Sequence, residues 1–246
     1  QSSHRLVGLC GLNVQSPAKA LYLNLGKAHS LPMATDTRYL SPAQRRQRNR
    51  QEATQAILDV SREVMREDGV AALNLNEVAR RLGMTTPAIY RYFAGKGAIY
   101  NELFSLAQQI FLTYVERSIG EGVGFWQAWT SVVKAQLEFA HDHPELFELG
   151  FGRPVPGFVP SEESMAVSQH VADQGEAVVR RGIDSGEIRT DLTLTQVRDL
   201  LFAVSTGLTV AHMANEPHLS PDQGRFGGLA DNLISALRLA WGKHVP

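Results

Sequence analysis

Residues 74–96 read Asn-Leu-Asn-Glu-Val-Ala-Arg-Arg-Leu-Gly-Met-Thr-Thr-Pro-Ala-Ile-Tyr-Arg-Tyr-Phe-Ala-Gly-Lys, and they leave the chain little local choice. Asn74, with Glu77 three positions on, predicts a capping box that opens a short helix. Leu75, Val78, Ala79 and Leu82 recur at helical spacing, so that helix buries one face. Gly83 stops it, because glycine takes the left-handed conformation without steric cost. Thr85 then caps a second helix, with Pro87 in the first turn where a missing N–H does no harm. Ile89 and Phe93, four apart, give this second helix its inner face. Two short helices across a tight glycine turn make a helix-turn-helix, a unit whose second helix fits the major groove of DNA.

Spacing alone leaves a second reading open, an αα-corner inside an all-helical enzyme. The outward side chains weigh against it. Thr85, Thr86, Pro87, Ala88, Tyr90, Arg91 and Tyr92 include no acid, and Lys96 opens a third helix against the helix dipole. Small residues admit a close backbone approach, hydroxyls bond phosphates, and arginine pairs bidentately with guanine. Gly-apolar-Thr, then Ile-Tyr-Arg-Tyr-Phe, then Lys three residues later resembles the DNA-binding signature of the tetracycline-repressor (TetR) family of bacterial transcription regulators. The resemblance is specific over residues 44–104 and architectural beyond them. It implies that Thr85, Tyr90, Tyr92 and Lys96 hold phosphates while Thr86, Pro87, Ala88 and Arg91 face bases. Ala88 stands where members often carry a hydroxyl, so its base contact is apolar, and Gly97 stands where an acid is common.

The formal net charge of −1 hides an asymmetry. Residues 38–96 carry 11 Lys and Arg against 6 Asp and Glu, a balance of +5; residues 97–246 carry 10 against 18, a balance of −8. A basic head on an acidic body suits a protein that touches DNA with one part only. Cys10 is the sole cysteine, which excludes an internal disulfide and a cysteine-cluster zinc site. No apolar run approaches a membrane span. These features lead to the expectation of a cytoplasmic protein without a cofactor.

Residues 1–40 show no sustained periodicity and are expected to form a disordered arm, with Met33 a candidate natural start and no signal peptide. Ser41 and Pro42 open the first helix of a head over 41–96. Arg45, Arg46, Arg48 and Arg50 lie near its start, with Arg46 and Arg48 as candidate phosphate contacts. Its apolar stripe is Ala53, Ala56, Ile57, Val60 and Val64, and it ends before Gly69. The body, residues 97–246, reads as helix after helix. One runs from Lys96 to near Gly120, the next from Phe125 to Asp142, and another from Ser161 to about Arg181. Two apolar ones follow, after Asp191 or Thr193 and from about Gly227 to Trp241. Gly150, Gly152, Pro154, Pro156, Gly157 and Pro160 predict a non-helical loop. The fold class is therefore all-α: a three-helix helix-turn-helix head followed by a helical body for effector binding and dimerisation.

The apolar stripes Leu200, Leu201, Val204 and Leu208 and Leu229, Leu233, Leu237 and Trp241 exceed what one small core needs, although an internal core takes part of them. Leu201, Val204, Leu208, Leu233, Leu237 and Trp241 are the expected interface. They predict a four-helix pairing with a second copy across a two-fold axis. The TetR resemblance adds that such regulators are homodimers through their last two helices. Aromatics at helical spacing are ordinarily core. The alternative use of Phe104, Phe111, Trp126, Trp129, Phe139 and His170 is an apolar pocket, and the resemblance implies a small-molecule effector there. The competing class is a helical-bundle enzyme or metal protein using His141, His143, His170 and His212. The i, i+2 spacing of His141 and His143 suits one ion poorly, and no Glu-x-x-His or His-Glu-x-x-His occurs. The sequence reading is a ligand-responsive repressor that binds a palindromic double-stranded DNA operator as a dimer, not an enzyme.

Overall fold

In a computed structural model, residues 41–120, 122–189 and 191–242 are described, and the expectation for the 1–40 arm lies outside them. The chain divides into two compact units, residues 1–53 and 54–246. In the first, Ser41 caps helix α1 (Pro42–Asp68) reciprocally with Gln44. The Gln44 N–H donates to Ser41 Oγ at 3.3 Å, and the Ser41 N–H to Gln44 Oε1 at 2.8 Å. That is a capping box.

The second unit takes in the rest of α1 and eight more α-helices among the described residues. These are α2 (Leu75–Arg81), α3 (Thr86–Ile89), α4 (Lys96–Ser118), α5 (Phe125–Asp142), α6 (Pro144–Phe147), α7 (Glu162–Asp184), α8 (Leu194–Asn215) and α9 (Ala230–Trp241). No named strand occurs among the described residues; Ile188 and Gly242 form one isolated antiparallel bridge. The fold is all-α, as the sequence predicts.

Around α1 to α4 the buried side chains include Ile57, Leu58, Val64, Met65, Val78, Ile89 and Phe93. A four-residue helix such as α3 is not stable alone. Ile89 and Phe93 hold it down, each worth roughly 1.5–3 kcal/mol when fully buried. In the body, α5 lies against α4, α7, α8 and α9. Its Phe125, Trp126, Trp129, Val133 and Leu137 share a core with Val179, Val197, Leu201 and Ile234.

Two local expectations need correction. Asn74 caps α2 by accepting from the Asn76 N–H at 3.0 Å, but Glu77 does not close the box. Its carboxylate is taken instead by Arg80 and Arg81. The glycine-rich stretch after α6 is also partly helical, since Glu148–Gly152 forms a π-turn. Arg153, left-handed at φ 55°, ends it. Glycine fits there because the Gly150 backbone passes close to α4: a Cβ on Gly150 would stand 3.2 Å from Ala107 Cβ.

Candidate functional site

The helix-turn-helix is held from within by a fork of charge. Arg81 grips Glu67 of α1 through two N–H···O contacts of 3.0 and 2.7 Å, and also reaches Glu77 at 2.7 Å. Hydrogen bonds from Arg80 first and Arg81 second hold the Glu77 carboxyl down to about 2. Gly83 makes the turn at φ +63°, as predicted. Thr85 is the extended residue before α3 but makes no side-chain cap. The pinning comes from Thr86, whose hydroxyl donates to Asn76 Oδ1 of α2 at 2.7 Å. Sequence reasoning gave Thr86 to bases and missed Asn76.

The residues assigned to DNA lie largely outward. Thr85, Pro87, Arg91 and Lys96 are exposed, and Tyr90 is 55% exposed. Thr86, Ala88 and Tyr92 are half-buried. In the first unit Arg46 is exposed, and Arg48, half-buried, pairs with Glu52 at 3.1 Å. None of the ten is sealed inside the protein.

Above this, the body contains a cavity of about 560 Å³ walled by α4, α5, the π-turn, α7 and α8. Of the six residues expected to form a pocket, Phe111 and Trp129 line it. The other four do not. Phe139 is fully buried behind Phe111, ring centroids 5.7 Å apart. Trp126 sits in the body core and donates Nε1–H to the Glu187 carbonyl at 3.2 Å. Phe104 is buried elsewhere on α4, and His170 is exposed on α7. Gln108, Gln136 and Phe202 line the cavity unforeseen, beside Phe151. Helical spacing carries no signal that separates a polar pocket residue from a polar surface one.

The histidines do not converge. His143 Nδ1 accepts from Arg62 Nη2 at 3.0 Å, since a guanidinium only donates. His212 is fully buried and donates Nε2–H to the Leu219 carbonyl at 3.1 Å. Among the described residues no cluster of three His, Cys, Asp or Glu could hold a metal, and no helix is long and apolar enough to cross a membrane. Close to His143 lies Glu145, its carboxylate fully buried. It accepts from Arg62 Nε at 2.9 Å and from Arg66 Nε and Nη2 at 3.1 and 2.9 Å. This cluster ties α1 to α6 in a way the sequence did not disclose.

On α8 and α9 the residues named for dimerisation turn mostly inward. Leu201 is fully buried in the body's own core and cannot meet a second chain, a correction to the sequence reading. Leu208, Leu237 and Trp241 pack against that core, and Val204 and Leu233 are half-buried. The outward stripe lies one residue round. Leu200, Ala203, Gly207 and Val210 are exposed on α8, as are Leu229, Asn232, Ala236 and Leu239 at and along α9, with Leu239 at 74%.

The model of the tetR family of bacterial regulatory proteins matches residues 57–103, which span the helix-turn-helix and the start of α4. Residues 57–103 thus carry the helix-turn-helix of the TetR family. The chain is similar to the HTH-type transcriptional regulator Rv1816 of Mycobacterium tuberculosis, 27% identical over 145 residues, covering 57% of this chain and 61% of that one. The chain thus spans less than two thirds of this relative's length. Among solved structures, FadR, the fatty acid degradation regulator of Bacillus halodurans, superposes with a TM-score of 0.62 at 14% identity. That match covers 75% of this chain and 93% of the other. FadR of Bacillus subtilis, solved with stearoyl-CoA, gives 0.59 at 19% identity over 74% and 96%. These two likenesses show the fold alone.

Proposed function

We propose that this chain is a TetR-family transcription regulator, a repressor that binds a palindromic operator as a homodimer in the cytoplasm and leaves it when a small molecule enters the body. The observation that carries the reading is the outward face around α3. Tyr90, Arg91 and Lys96 stand exposed, with no acid between Thr85 and Lys96 and with Pro87 and Ala88 small enough for a groove. Residues 41–96 are the DNA-binding domain, in which Thr85, Tyr90, Tyr92, Lys96, Arg46 and Arg48 serve phosphates. Thr86, Pro87, Ala88 and Arg91 serve bases. Thr86 does so through a hydroxyl whose proton Asn76 already holds.

Residues 97–246 are the effector and dimerisation domain. One head offers too few base contacts for useful specificity, so two are required, half-sites about 34–36 Å apart or a multiple. The stripes of Leu200, Ala203, Gly207 and Val210 and of Leu229, Ala236 and Leu239 are the surface we assign to the partner. Bacillus subtilis FadR holds stearoyl-CoA, which supports a small-molecule effector for this fold and nothing finer. Binding alone releases DNA, without chemistry, if the effector prefers the head spacing that misfits the operator.

The test is to sequence DNA fragments retained by the purified protein, with and without candidate compounds. The reading expects a palindromic motif whose retention some compound abolishes. Retention of no motif, or a solution mass of one chain at every concentration, refutes it.

A further inference from the structure

Besides the Trp129 Nε1–H, buried without a partner among the described residues, the wall of the body cavity holds two buried amides that the protein leaves half used. Gln108 on α4 and Gln136 on α5 both line it, each about 3% exposed. Gln108 donates Nε2–H to the Gly150 carbonyl at 3.3 Å. A carbonyl only accepts, so this contact determines which end of the amide is nitrogen. A Cβ on Gly150 would stand 3.2 Å from that nitrogen and crowd it. Gln136 donates Nε2–H to Thr206 Oγ1 at 3.1 Å.

Both carboxamide oxygens therefore lack a donor among the described residues. Neither is a sealed orphan atom, so both are open to the cavity. An acceptor in such a wall is costly unless whatever fills the space meets it with a donor. The remaining wall is largely apolar, with Phe111, Val115, Trp129, Phe151, Val178 and Phe202. Its charged members stay apart. Arg198 is engaged by Glu176 at 3.1 Å and by Asp199 at 2.8 Å, while Glu116 and Arg181 are exposed. No buried cation waits for an anion. A carboxylate placed against the two carboxamide oxygens would set acceptor against acceptor and lose its hydration as well.

The geometry points to an uncharged, mainly apolar ligand of drug size whose hydroxyl groups donate to the Gln108 and Gln136 oxygens. The volume is within the range of about 300–1,000 Å³ usual for such ligands. This inference rests on the reading that the cavity is the effector site, and it names the chemical class that site takes.

Three probes of one shape separate the terms: bisphenol A, its dimethyl ether, and diphenolic acid, which keeps both hydroxyls and adds a carboxylate. Each is titrated calorimetrically into the full chain, and retention of the protein's own selected DNA is measured in the same samples. The diphenol should bind about tenfold or more tightly than the ether, whose oxygens leave the glutamines unmet, and more tightly than the acid. Gln108→Leu and Gln136→Leu should each shrink the diphenol-to-ether ratio, and together bring it near one. A merely structural role would weaken both probes alike. If the leucine variants do not fold, the ranking on the unaltered chain decides. An ether or acid that binds as tightly as the diphenol overturns the class, as does a diphenol that does not bind at its solubility limit. A correct ranking without any change in DNA retention upholds the ligand class and refutes the effector role instead.

Discussion

Replacing Glu145 by glutamine should cost this protein more stability than almost any other single polar change. The carboxylate is fully buried at the start of α6, where a negative charge also suits the helix dipole. It accepts three N–H groups from Arg62 and Arg66. Glutamine keeps one acceptor oxygen and turns the other position into a donor that faces a guanidinium. Removing one partner of a buried pair costs about 3–5 kcal/mol when the other charge stays buried. Here the arginines can recover some water, since the Arg62 and Arg66 side chains are 18% and 47% exposed. That lowers the expectation to about 2–3 kcal/mol. At about 2–4 °C per kcal/mol for a domain of this size, Tm should fall by about 4–12 °C. Arg66→Ala should cost less, about 1 kcal/mol, because water replaces its partner more easily. Thermal and denaturant unfolding read these values, and a double-mutant cycle of Glu145→Gln with Arg62→Met reads the coupling. A Glu145→Gln Tm within about a degree of the unaltered protein would refute the cluster as a stabilising tie.

Four further outcomes follow from the same geometry. Burial first, and the Arg62 charge second, push the His143 imidazole below its ordinary value. The unfolded chain therefore binds the proton more readily, so stability is complete above the ordinary histidine range and declines as pH falls through the lower folded value. Denaturant midpoints at pH 7.5 and 5 should differ less in His143→Gln than in the unaltered chain. Lys96→Ala should weaken DNA binding evenly across sequences and reduce the salt slope by about one, whereas Arg91→Ala should relax specificity at one operator position; binding assays on operator variants distinguish them. Gly182→Ala would place a Cβ 2.6 Å from Phe125 Cγ, an overpacking worth about 1–3 kcal/mol of lost stability in denaturant unfolding. Leu239→Arg should shift the solution mass toward one chain while leaving far-ultraviolet circular dichroism unchanged, since that residue makes no part of the body core.

Local rules read the head well because its signals lie within a few residues of one another. Gly83 and the Ile89–Phe93 pair say in sequence what they do in space. The same rules misjudged Glu77, whose two arginines at i+3 and i+4 outcompete the backbone N–H of Asn74 for its oxygens. They also placed Leu201 on the wrong side of α8. An apolar stripe tells that a face is covered, but two adjacent stripes, one for the chain's own core and one outward, look alike until neighbours are known. The Glu145 cluster was invisible for a different reason. Arg62 and Glu145 are 83 positions apart, and no local pattern announces a partner at that distance. Gln108 and Gln136 were not singled out, because helical spacing does not say what a polar side chain faces.

Helix α7 resembles a beam resting on two supports. At its N-terminal end, the Ser161 N–H and the Ser164 hydroxyl are both fastened to Asn101, at 2.8 and 3.2 Å. At the far end Gly182 lies against the Phe125 ring, and just beyond it Glu187 receives the Phe125 N–H on both carboxylate oxygens at 3.0 Å. Its buried residues are Ser164, Val178, Val179 and Gly182, so the thirteen-residue span between the first two has none. Nor does anything stand within 4 Å of a Cβ built on Gly175. Between the two ends the Glu176–Arg198 pair, at 3.1 Å, adds one tie to α8, so the stretch that can yield is residues 165–175. Guests of differing girth would be accommodated by bowing the helix outward, while both anchorages, and the helices they are bolted to, stay where they are.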